Sequence, residues 1–280
     1  MSNFLILDGY PEAERKKFDD IGMTRAGELY KQMLFRYTSE VGHEIVYTSD
    51  SEDLLSKDFL QNFDGILWPG CSLTVYEDDW RAKKMLSIAR MGFELGLPQF
   101  GSCWAAQVAV HIIGGKVSPH EKGREIGISR RIKTNEAGFH HPMYEGKPAV
   151  FEAFTSHDDF IEYIPPEYCP ALSSNDWCHV QSVCIKYKNG EFWAPQYHPE
   201  YNFKEMAKLL LARKEKLIRQ KHFDSEEQVQ QVHDDFMALE QNATKHLMWK
   251  YGVGEAIAKS ELRELEFFNW LKKFFPNSLK

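Results

Sequence analysis

An apolar run, Leu97-Pro98-Gln99-Phe100, gives way after three residues to Trp104-Ala105-Ala106-Gln107-Val108-Ala109-Val110-His111-Ile112-Ile113, a helical stretch closed by Gly114-Gly115. Only Gly101, Ser102 and Cys103 stand between them. A chain that leaves a buried strand and enters a buried helix over so few residues must turn very sharply. The residues two before and two after the apex must then be small, or strand and helix collide. Gly101 and Ala105 meet that demand around Cys103. The helix start behind the apex offers backbone N–H groups and a partial positive charge, which favour a thiolate and later an oxyanion. Cys103 is therefore the candidate nucleophile; the plain alternative is a small core cysteine.

A thiol nucleophile needs an imidazole to take its proton, and the imidazole needs a carboxylate to fix its tautomer. Gln196-Tyr197-His198-Pro199-Glu200 supplies both, with His198 as base and Glu200 as its orienting acid. Two residues apart in an extended segment, they are expected to share a face, with Pro199 restricting the backbone between them. Two competitors exist. Cys71, in Pro69-Gly70-Cys71-Ser72, has no helix start directly behind it, and His157 has Asp158 and Asp159 beside it but no Pro-Glu pattern.

The remaining chain reads as alternating strands and helices. Phe4-Leu5-Ile6-Leu7-Asp8, His43-Glu44-Ile45-Val46-Tyr47-Thr48 and Phe63-Asp64-Gly65-Ile66-Leu67-Trp68 are strand candidates. Helical patterns are expected over about 12–40, weakened by Gly22 and Gly27, and over about 75–93. After the elbow the pattern turns β-rich, through Lys116-Val117, Ile126-Gly127-Ile128-Ser129 and Ala149-Val150-Phe151-Glu152-Ala153-Phe154. Val183-Cys184-Ile185-Lys186-Tyr187 and Phe192-Trp193-Ala194-Pro195-Gln196 then straddle Asn189-Gly190, a hairpin signal that delivers His198 to the crevice. The expected fold is α/β: a doubly wound, mostly parallel sheet with flanking helices and an added antiparallel portion. In such sheets chemistry gathers at the carboxyl ends of the strands, so the loop at Gly70 and the elbow should meet at one crevice.

The motifs Gly101-x-Cys103-x-Ala105-x-Gln107 and His198-Pro199-Glu200 resemble those of class I glutamine amidotransferases of the Cys-His-Glu triad type, the glutaminase of GMP synthase among them. The likeness covers about residues 3–205. That family often has Gly where Ala105 stands, and Ala is small enough for the turn. The resemblance implies a flavodoxin-like fold and an oxyanion hole made by the N–H groups of Gly70 and Trp104. It also implies substrate contacts from Gln107 and from the segment holding Ser156 and His157. By the same resemblance Cys103 attacks the side-chain carboxamide of L-glutamine, His198 protonates the departing ammonia, and water then releases glutamate from a γ-glutamyl thioester. No metal or organic cofactor is called for. Ammonia would pass to a synthetase domain or a separate subunit. Relatives of the fold that cleave γ-glutamyl peptides would use the same triad, and an idle binding or regulatory module is the third reading.

A net charge of −7 argues against a nucleic-acid surface. Five cysteines without close paired or zinc-like spacing suit a reducing compartment, and no apolar run nears the length that spans a bilayer. The expectation is a cytoplasmic protein with no membrane contact. The division expected is an amidotransferase-like domain over 1–205 and a helical extension over 206–280. In the extension one helix is expected over about 203–220, basic towards its end. A second is expected over about 225–251, opened by a capping box at Ser225, and a third over about 255–274. The last is rich in aromatics, Phe267, Phe268, Trp270, Phe274 and Phe275 among them, which either pack back on the domain or form a docking surface.

Overall fold

The computed structural model describes residues 1–168 and 171–280. Its strands are β1 (Asn3–Asp8), β2 (Gly42–Tyr47), β3 (Gly65–Trp68), β4 (Gln99–Gly101), β5 (Lys116–Pro119), β6 (Glu125–Thr134), β7 (Val150–His157), β8 (Asp159–Tyr163), β9 (Ala171–Ser174), β10 (Ser182–Tyr187) and β11 (Gly190–Pro195). Nine of them form one sheet in the order β2-β1-β3-β4-β11-β10-β9-β6-β7, while β5 and β8 pair separately. Pairing is parallel from β2 to β11 and antiparallel from there to β7. The expected α/β architecture is therefore present, with the antiparallel portion grafted beyond β11.

Both faces of the parallel part are covered, as the unbroken apolar strands require. On one face Leu5, Leu7, Ile66 and Trp68 meet the helices Trp80–Leu95 and Trp104–Ile112. On the other, Phe4, Ile6, Leu67 and Phe100 meet Ala26–Tyr37 and Leu265–Phe274. The aromatic last helix thus packs back on the sheet. Phe267 and Trp270 are wholly buried, with ring centroids 5.1 and 5.9 Å from Phe100. A buried ion pair fastens it further, Lys147 Nζ to Glu266 at 2.8 Å.

Several long helices expected from periodicity are divided. The pattern over 12–40 is two helices, Glu12–Asp20 and Ala26–Tyr37, parted where Gly22 takes a φ of +66°. The helix expected from about 75 begins at Trp80, where the Asp79 carboxylate accepts the N–H of Arg81 at 2.8 Å. The stretch over 203–220 breaks at Arg213 into Phe203–Ala212 and Lys214–Arg219. The next divides into Glu226–Gln241 and Lys245–Tyr251, because Asn242 is extended and Thr244 caps a fresh start. The last divides into Glu255–Ala258, Ser260–Arg263 and Leu265–Phe274. Ser225 does cap its helix, accepting the N–H of Gln228, but Gln228 reaches back to the N–H of Asp224 instead of closing the box on Ser225. The hairpin turn centres on Lys188 and Asn189, since Tyr187 pairs with Gly190. Among the described residues no helix is long and apolar enough to cross a membrane.

Candidate active site

The elbow takes the conformation its sequence demands. Cys103 sits at φ 54°, ψ −105°, a strained setting for a residue with a side chain, at a cost of about 1–3 kcal/mol. It is held by its N–H, which donates to Pro195 O at 2.8 Å, and by Ser102 N–H, which donates to Trp68 O at 3.1 Å. A Cβ on Gly101 would lie 2.4 Å from that of Ala105 and 2.6 Å from Trp68 O, so the size rule read from the sequence has a concrete cause.

His198 comes from the far side of β4, on the segment leaving β11. Its backbone N–H donates to Phe154 O at 2.8 Å, and Tyr201 N–H closes a turn on His198 O at 3.4 Å. The residues between them are in a turn, so the pairing of His198 with Glu200 does not arise from an extended segment as expected. Successive same-side residues of a strand would stand further apart; folding the chain over Pro199 brings the carboxylate onto the ring. Nδ1–H of His198 donates to Glu200 Oε1 at 2.7 Å, and the Ser102 hydroxyl donates to the same oxygen at 2.8 Å. The Tyr201 ring stacks flat on the imidazole, centroids 4.2 Å apart.

Nε2 of His198 then faces Cys103, and the two shift each other. Burial pushes the Cys103 thiol up, but the charge and hydrogen bond of His198 outweigh it and hold the thiol below its ordinary value. Burial pulls His198 down, while Glu200 and Cys103 together push it up to about 10. Both shifts favour a thiolate beside an imidazolium. Cys71 lies in the same cavity, yet burial pushes its thiol well above the usual range. Gly70 lies against the pair, since a Cβ there would stand 2.9 Å from His198 Cε1 and 3.2 Å from Cys103 Cβ. At the helix start, the N–H groups of Ala105 and Ala106 are taken by Ser102 O and Cys103 O. Trp104, between Cys103 and these two, lines the cavity.

The cavity has a volume of about 360 Å³, and Cys103, Trp104, Gln107, Ser156, His157 and His198 all line it. Gln107 Nε2 donates to Asp159 O at 3.2 Å. His157 has a carboxylate of its own: Nε2 lies 3.0 Å from Glu125 Oε2 and Nδ1 2.8 Å from Asp159 O. Sequence reading missed Tyr10, Arg124, Arg213, Lys216 and Tyr201, which share the same walls. The signal available for two of them was the spacing of Arg213 and Lys216, one helical turn apart in a basic stretch.

Two groups among the described residues bring metal-ligand atoms within 4.8 Å of one another, Glu125-His157-Cys178 and His141-Cys184-Glu191. In the first, the carboxylate already accepts from His157, Gln181, Ser129 and Asn175. In the second, Glu191 holds the Lys273 ammonium at 2.6 Å, a cation that competes for the same oxygen.

Comparison with known proteins places these features in context. Residues 24–217 match the family described as glutamine amidotransferase class-I. A γ-glutamyl-L-1-hydroxyisopropylamide hydrolase from a Pseudomonas species is 28% identical over 273 residues, which is 95% of this chain and 91% of the relative. GMP synthase from Enterococcus faecalis is 33% identical over 147 residues, but that stretch is 52% of this chain and only 26% of the synthase. A glutamine amidotransferase structure from Thermotoga maritima superposes with a TM-score of 0.67 at 15% identity, covering 98% of this chain and 97% of that one.

Proposed function

The chain belongs to the class-I glutamine amidotransferase family, and on that premise we propose that it hydrolyses the amide of γ-glutamyl compounds through a Cys103 thioester, with water as the final acceptor. The observation that carries this reading is the contact chain from Cys103 through His198 to Glu200, closed by Ser102. In this proposal the Cys103 thiolate attacks the γ-carbonyl, and the N–H groups of Gly70 and Trp104 receive the developing oxyanion. His198 Nε2 protonates the leaving nitrogen, which departs as ammonia or as an amine. The same nitrogen then takes a proton from water as it attacks the thioester, releasing a γ-carboxylate. Glu200 holds the ring in register throughout. Gln107, Ser156 and His157 line the acyl side of the cavity. The setting we propose is cytoplasmic, where a catalytic thiol stays reduced.

Hydrolysis is preferred over ammonia transfer because the relative matched along nearly all of both chains is named as a γ-glutamyl amide hydrolase. The glutaminase that feeds a separate synthetase is the second reading, supported by the partial match to GMP synthases. The test is glutamate release from L-glutamine and from γ-glutamyl amides of small amines, with Cys103→Ala as control. We expect release to fall about a thousandfold or more in the variant. Undiminished release would remove Cys103 from the mechanism. Preference for L-glutamine over every substituted amide would favour the second reading.

A further inference from the structure

We infer that Arg213 adds a specificity determinant from the C-terminal segment to the substrate-holding Ser156 segment, pairing with the α-carboxylate so that γ-glutamyl compounds whose α-carboxyl group is free are selected. This rests on the hydrolase reading above and names its substrate class.

The argument is one of hydrogen-bond and charge inventory. Two guanidinium groups converge on a single neutral oxygen: Arg124 Nη1 donates to Ser156 Oγ at 2.9 Å and Arg213 Nη1 at 2.8 Å. A hydroxyl has two lone pairs and one hydrogen, so both lone pairs are taken and the O–H is left to donate. Arg124 is neutralised, since its Nε and Nη2 both bind Asp158. Asp158 also receives Lys216 Nζ at 2.9 Å. Among the described residues no carboxylate stands within ion-pair range of Arg213. Two of the three cations thus share one acid and the third has none, with Arg213 half-buried in the cavity wall and most of its N–H donors unused. The other acids lining the cavity are engaged elsewhere, Glu14 with Ser72 and Asp159 with Tyr76.

An arginine fork next to a hydroxyl donor is complementary to a carboxylate. Its position relative to the nucleophile fits the glutamyl skeleton. Cys103 Sγ lies 3.8 Å from the carbonyl oxygen of Ser156, the residue whose side chain Arg213 holds. An extended glutamyl chain measures about 5 Å from γ-carbonyl carbon to α-carboxylate carbon at standard bond lengths. Its acid end would reach the wall that Ser156 and Arg213 share while the γ-carbonyl meets Cys103. The break between the helices Phe203–Ala212 and Lys214–Arg219 falls on Arg213 itself, which frees this residue from the regular face of either helix.

The experiment measures binding of L-glutamine and of its α-carboxamide by calorimetry to Cys103→Ala, with and without Arg213→Gln, followed by turnover of γ-glutamyl anilides with free and amidated α-carboxyl groups. Expected is a preference for the free acid, with Kd for L-glutamine rising about 30-fold in Arg213→Gln while binding of the α-carboxamide changes little. Arg213→Lys should fall between, because an ammonium cannot hold Ser156 Oγ and both carboxylate oxygens as a fork does. In turnover the Arg213→Gln loss should appear in KM more than in kcat. Equal weakening of both ligands would mean a structural role and overturn the assignment, as would an intact preference for the acid or binding of neither ligand. If Arg213-dependent binding is present but no anilide is cleaved, the anchor stands and the hydrolase reading falls.

Discussion

Both nitrogens of the His157 ring face groups that can only accept, a backbone carbonyl and a carboxylate. Glu125 Oε2 also receives Gln181 Nε2 at 2.9 Å, and its other oxygen receives Ser129 and Asn175, which suits an ionised carboxylate. His157 must then donate from both nitrogens, as an imidazolium. Burial pulls its pKa down, but Glu125 and the nearby Cys103 raise it above the ordinary histidine value. Its role would be electrostatic: a second fixed positive charge beside the thiolate. Removing that charge disfavours the thiolate, so the thiol pKa rises and less thiolate exists below it. His157→Gln should therefore slow iodoacetamide alkylation of Cys103 about tenfold at pH 6 and much less at pH 9, one pKa unit corresponding to a tenfold change. An unchanged alkylation profile would show that the charge does not reach the sulfur. Cys71→Ala should leave both alkylation of Cys103 and turnover essentially as they are, because the half-buried Cys71 thiol is pushed well above the usual range by desolvation.

The elbow is the element on which position depends, and its tolerance is set by atoms already counted. In Gly101→Ala the new methyl meets both Ala105 Cβ and the Trp68 carbonyl oxygen, neither of which sits on a flexible arm. The substitution should cost about 3 kcal/mol in urea unfolding. Adding Ala105→Gly should recover only part, since the clash with backbone oxygen persists; full recovery would show that the strand end can shift. This element was legible in the sequence because sharp turns restrict residue size over a few consecutive positions. The parallel strands were legible for a similar reason, as buried runs with no polar interruption. The C-terminal helices were legible in place but not in division. Arg213, Asn242, Lys259 and Glu264 break them without Pro or Gly, and what decides each break is the tertiary setting, which periodicity does not carry. The partnership of His157 with Glu125 was equally hidden, because it joins neighbouring strands and leaves no local spacing.

Across the whole molecule the C-terminal segment does more than cover a sheet face. Glu266, on its last long helix, accepts the hydroxyl of Tyr197 at 2.5 Å, and Arg263 Nε donates to Pro199 O at 3.3 Å. These contacts grip the turn on both sides of His198, so the position of the base depends on residues far beyond it in the chain. Glu266 is wholly buried and is balanced by Lys147, whose ammonium also donates to Leu262 O and Arg263 O. Breaking one partner of a buried pair strands the other charge, whereas replacing both with apolar groups of similar volume removes the desolvation penalty along with the attraction. Glu266→Gln should therefore lower stability by about 3–5 kcal/mol. Lys147→Met with Glu266→Leu should lose less than that in stability. The double variant still lacks the carboxylate that ties Tyr197 to the last helix, so kcat should remain depressed while KM for a γ-glutamyl amide moves little. Recovery of kcat together with stability would mean that the grip on the His198 turn is redundant, and that the segment serves the site through Arg213 alone.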